Sequence, residues 1–119
     1  MILARVTYIK SKMPKFYEKT VEKMQRADGV AFLSLQDVED FVVSLRRQLF
    51  ADKPNGHAAH IKFSPASVRK NDDGFIYICS GRVDEDVARI YLYPVREIVT
   101  FSQLKSMDLN IQVKKGGEL

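Results

Sequence analysis

The sequence predicts an α+β domain: an antiparallel β-sheet of about five strands with two helices packed on one face. Two observations carry this. The first half of the chain holds two apolar stripes at helical spacing, over 14–27 and 35–51, each preceded by a short strand-like segment. The second half holds apolar runs of strand length separated by tight turns, and tightly joined strands pair antiparallel. With 119 residues, 45% hydrophobic and 29% charged, the chain fits a single core. The expected domain covers 1–113, and the polar, Gly-containing stretch 114–119 reads as a flexible tail.

The elements follow in order. Residues 2–9 are β-branched and aromatic, so a strand is expected, with Arg5, Thr7 and Leu3 on one side and Ala4, Val6 and Tyr8 on the other. Pro14 suits a first helical turn. Tyr17, Val21 and Met24 then repeat at helical spacing, with Phe16 and Thr20 beside them, until Asp28-Gly29 ends the helix. Val30 to Leu33 reads as a brief strand. Ser34 is a good cap for the next helix. In it Leu35, Val38, Val42, Leu45 and Leu49 recur at steps of three and four, and Phe41 widens the stripe. Its acids, Asp37, Glu39 and Asp40, come first and its bases, Arg46 and Arg47, come late, as the helix dipole prefers.

Further on, His57 to Phe63 reads as a strand ending at Ser64-Pro65. Asn71-Asp-Asp-Gly74 is a turn, Phe75 to Cys79 a central strand, and Val83 to Asp86 an acidic turn. Ala88, Ile90 and Leu92 alternate with Arg89, Tyr91 and Tyr93 as in a half-buried strand, which Pro94 ends or bends. Val95 to Phe101 reads as a strand or the start of a short helix, Ser102 to Met107 as a helical turn, and Ile111 with Val113 as an edge strand.

The apolar pattern of 35–50 is broken by Asp37, Glu39, Asp40, Arg46 and Arg47, so no membrane span is expected there. The start, Met1 to Arg5, is too short and too soon charged for a signal peptide. Cys79 is the single cysteine and cannot form an intrachain disulfide, and a cytoplasmic, reducing location is the expectation.

No pattern for a catalytic site, a metal or a cofactor is present. His57 and His60 stand in Gly-His-Ala-Ala-His without a third ligand, and no Glu lies between them. Cys79 sits inside an apolar run, where a thiol is structural. The acidic groups Asp72-Asp73 and Asp84-Glu85-Asp86 flank one strand at opposite ends, too far apart to act as a carboxylate pair.

Charge is distributed unevenly. Residues 1–26 carry seven basic and two acidic side chains, an excess of +5, while the remaining 93 carry twelve basic and thirteen acidic. Lys15, Lys19 and Lys23 fall four apart, with Lys12 before and Arg26 after. Such a row can track phosphates or meet an acidic protein, unless Glu18 and Glu22 pair with it. Arg89, Tyr91 and Tyr93 share one strand face, a combination able to stack bases. The reading favours a non-enzymatic binding protein, an inhibitor or accessory factor. Its expected contacts are Lys12, Lys15, Lys19, Lys23, Arg26, Arg89, Tyr91 and Tyr93, and its partner an acidic protein or nucleic acid. The alternative is a nucleotide or phosphoester site at a homo-oligomer interface using His57, His60, Arg82 and Arg89. Self-association is expected if both faces of the Ala88–Tyr93 strand are covered.

Overall fold

The first strand, β1 (Ile2–Ile9), lies inside the sheet rather than at its edge. In the computed structural model, which describes residues 1–81, 85–95 and 112–113 (the last two by backbone alone), it is followed by a 3-10 turn (Lys15–Tyr17), α1 (Glu18–Gln25), β2 (Val30–Phe32) and α2 (Leu35–Asp52). Then come β3 (His60–Phe63), α3 (Pro65–Arg69), β4 (Gly74–Ser80), β5 (Glu85–Pro94) and β6 (Gln112–Val113). The sheet order is β3-β4-β5-β1-β2-β6. The first five are joined antiparallel, and β6 adds to β2 in parallel. The fold is α+β, as the sequence pattern indicates. The segments 82–84, 96–111 and 114–119 lie outside the described residues, with the expectations placed on them, including the first half of the acidic turn expected from Val83 to Asp86.

Chain geometry explains this order. β2 and β3 stand on opposite sides of the central strands, and α2 connects them. Its 18 residues, at about 1.5 Å each, give roughly 27 Å. The distance to cross is four strand spacings of about 4.8 Å, roughly 19 Å. Ser34 starts α2 as expected, its hydroxyl accepting from the Asp37 N–H at 3.3 Å.

Val38, Phe41, Val42, Leu45 and Leu49 of α2 are buried, and so are Thr20, Val21 and Met24 of α1. Apart from Thr20, they join one cluster with Ile2, Ala4, Val30, Phe32, Ile61, Ile76, Ile78, Ile90 and Leu92. Ile76 and Ile78 of β4 and Ala88, Ile90 and Leu92 of β5, all at even positions, line this cluster. The intervening odd positions from Phe75 to Tyr77 and from Arg89 to Tyr93 therefore point the other way.

Several local differences from the sequence reading have physical causes. Pro14 is extended (ψ 148°), and its carbonyl accepts from the Tyr17 N–H at 3.2 Å. The helix expected over 14–27 therefore opens as a 3-10 turn and becomes α-helical only at Glu18. The strand expected from His57 starts at His60, because the His57 ring packs on Phe16 and its Nδ1 accepts from the Ala59 N–H at 3.1 Å. β5 begins at Glu85, so Glu85 and Asp86 lie within a strand and not in a turn. There Glu85 meets Lys10 at 2.6 Å and Asp86 binds Arg89, which offsets the cost of charge at these positions.

The short helix α3 begins at Pro65 with Ser64 at its N-cap position, where the sequence pattern indicates only the end of a strand. Its buried Val68 explains the glycine after the Asn71 turn: a Cβ on Gly74 would stand 2.7 Å from the Val68 Cγ2. Asn71 itself has φ 61°, a left-handed conformation that asparagine tolerates. Among the described residues no helix is long and apolar enough to cross a membrane.

Candidate binding surfaces

Two surfaces of different chemistry lie on the two layers. The first is the basic segment leading into and along α1. Lys12, Lys15, Lys19 and Arg26 are exposed, and Lys23 is half-buried. The 3-10 turn interrupts the expected row: Lys15 lies on the turn, while Lys19 and Lys23 stand one turn apart on α1. Glu18 and Glu22 are exposed on the same helix, yet no ion pair joins them to these five cations among the described residues. The charge of this segment is therefore not cancelled by local ion pairs. Lys23 also faces a depression of about 560 Å³ between α1 and α2, with Arg47, Gln48, Ser44 and Asp40 around it.

The second surface is the sheet face turned away from the core. Its register sets Phe75 opposite Tyr91 and Tyr77 opposite Arg89, and on the other side of β5, Arg5 opposite Tyr91 and Leu3 opposite Tyr93. A register shift between Val6 and Tyr8 adds one residue to β1. Tyr8 is thus aligned with Arg89, not with Ala4 and Val6 as simple alternation requires.

Phe75 and Tyr77 stack with centroids 5.5 Å apart at 13°. Tyr91 makes T-shaped contacts with Phe75, centroids 4.7 Å apart, and with Tyr93, 4.0 Å apart. The Arg89 guanidinium lies 5.6 Å from the Phe75 ring centre and 5.2 Å from that of Tyr77, and it is bound by Asp86. Cations beside this face are paired too: Arg5 is 3.6 Å from Asp28, and Lys10 is 2.6 Å from Glu85.

The structure thus joins Arg89, Tyr91 and Tyr93 as the sequence pattern indicates, and adds Phe75, Tyr77 and Tyr8. It does not bring them together with the lysines, whose helix packs into the opposite layer. The missed residues had a signal. In Phe-Ile-Tyr-Ile the aromatic and aliphatic side chains alternate, but all four are apolar, so the run reads as uniformly buried.

The Tyr91 hydroxyl donates to Asp73. Ionising the phenol would break this bond and set two negative charges side by side, so its pKa is pushed up to about 12 by the hydrogen bond first, then by desolvation and by the Asp73 charge. The contribution of this raised value to stability is complete below about pH 10 and disappears as pH rises toward about 12. Asp73→Asn is expected to return the Tyr91 titration toward the ordinary tyrosine value, read by the ring-carbon chemical shift against pH. An unchanged midpoint would show that Asp73 is not the cause.

Within the single chain, the described residues of the interface-site alternative each have a local partner. His57 is held against Phe16 and by the Ala59 N–H, and the His60 Nδ1 is 3.0 Å from the Ala58 carbonyl. Arg89 is engaged by Asp86, and Arg82 lies outside the described residues. Among the described residues no group of three or more His, Cys, Asp or Glu side chains could hold a metal ion. Cys79 is buried. No protein-family model, no curated protein and no solved structure matches this chain.

Proposed function

We propose that this chain is a non-enzymatic binding protein that holds the phosphate backbone of a nucleic acid through Lys12, Lys15, Lys19, Lys23 and Arg26. The supporting observation is that four of these five are exposed, and none has a carboxylate within ion-pair distance among the described residues. Exposed lysines on a helical segment favour phosphate over a protein partner. Lysine is depleted from protein interfaces, which concentrate their energy in a dry aromatic centre. Phosphates need only positioned charge.

Fluorescence anisotropy of labelled single- and double-stranded DNA and RNA, across a salt series, tests this reading. Binding that weakens steeply with salt is expected. No binding at low salt would remove the nucleic-acid reading and leave an acidic protein as the partner of this surface.

A further inference from the structure

We propose that the aromatic sheet face of β4, β5 and β1 seats a second copy of this chain, face to face across a twofold axis. The face is rich in the side chains that form interface centres: Phe75, Tyr77, Arg89, Tyr91 and Tyr93, with Tyr8 at its rim. Tyr93 and Tyr8 are 40% and 41% exposed; among the described Phe and Tyr rings only Phe50 is more so.

Charge selects the occupant. Arg5, Lys10 and Arg89 are each matched by an acid of the same chain, Asp28, Glu85 and Asp86 respectively. Lys62, in register with Tyr77, and Asp73, which accepts from the Tyr91 hydroxyl, add one charge of each sign, so among the described residues this surface carries both signs in balance and has no net field to draw a phosphate backbone. It is, however, self-complementary, because a twofold rotation can set the cation of one copy against the acid of the other.

The excess of +5 in residues 1–26 would ordinarily oppose self-association, yet all but Arg5 and Lys10 of that segment's cations lie from Lys12 to Arg26, on the helix of the opposite layer or flanking it. Two copies meeting through their sheets keep these charges apart. The rings also offer little to a nucleobase: Arg89 lies over Phe75 and Tyr77, and Tyr91 is already in edge-to-face contact with Phe75 and Tyr93. The dimer would carry two α1 surfaces facing outward. The proposal stands on the sheet face alone and does not depend on what α1 binds.

Sedimentation equilibrium from about 1 to 100 µM tests it. The expected mass is twice the 13.6 kDa of the chain. The double variant Tyr8→Glu, Tyr93→Glu is expected to raise the dimer dissociation constant by about 30-fold or more. Lys15→Glu with Lys19→Glu, on the other layer, is expected not to weaken it. If circular dichroism shows the Glu variant unfolded, Tyr93→Ser removes the ring without adding charge and is expected to weaken the dimer in the same direction.

A monomer at the highest concentration overturns the proposal, and so does a dimer that no folded Tyr93 variant weakens. A monomer that binds single-stranded RNA and loses it on Tyr93→Ser would assign this face to base stacking instead.

Discussion

Replacing Lys15, Lys19 and Arg26 together with Glu is expected to abolish measurable nucleic-acid binding at physiological salt while leaving the protein folded. All three side chains are exposed, and none makes an ion pair among the described residues, so the folded state loses no specific contact. Exposed substitutions of this kind usually change stability by within about 0.5 kcal/mol each. Binding should respond quite differently. Each phosphate contact contributes about one unit to the dependence of log affinity on log salt, so removing three should flatten that slope by roughly three. The three acids add repulsion. The loss should be similar for every sequence tested, because contacts to phosphate position a protein without reading bases. A variant that keeps the wild-type slope would place the binding surface elsewhere. The sheet face, where Arg5, Lys10 and Arg89 are already paired, would then need testing by Tyr93→Ser.

How far the sequence reveals this molecule depends on how local the deciding interaction is. The stripe from Val38 to Leu49 is legible because helical spacing and burial coincide, and the Asn71 turn is legible because its residue types suit a left-handed backbone. The opening 3-10 turn is less legible: Pro14 announces a helix start but not its pitch. Tyr8 illustrates the limit. Its side of the sheet is set by one extra residue opposite β5, and a bulge has no mark in the spacing of Ile2–Ile9. The binding surfaces divide in the same way. Lysines at 15, 19 and 23 are plain in the sequence. That Glu18 and Glu22 leave them unpaired depends on side-chain placement. That Arg89 is paired depends partly on β5 starting early enough to include Asp86. Sequence reading therefore found cations in both places but not the difference between them.

The largest loss of stability is expected from Phe41→Ala, about 3–5 kcal/mol. Phe41 has no exposed surface, and its ring lies 5.5 Å from that of Phe32, so it ties the long crossing helix α2 to β2. Truncation removes the transfer free energy of the ring and leaves a cavity that Phe32, Val38 and Leu45 cannot all move to fill, being close-packed and fully buried themselves. A domain of this length typically has roughly 6–18 kcal/mol of stability, so the loss is a large share of the total. It should lower Tm by roughly 10–20 °C. Phe50, nine residues along the same helix and 78% exposed, provides the contrast. Phe50→Ala changes the same residue type on the same helix but opens no cavity, and should shift stability by within about 0.5 kcal/mol. Urea titration of the two variants measures both. A loss below about 1 kcal/mol for Phe41→Ala would mean that α2 does not cross the sheet through this contact, because no close-packed core gives up a buried ring so cheaply.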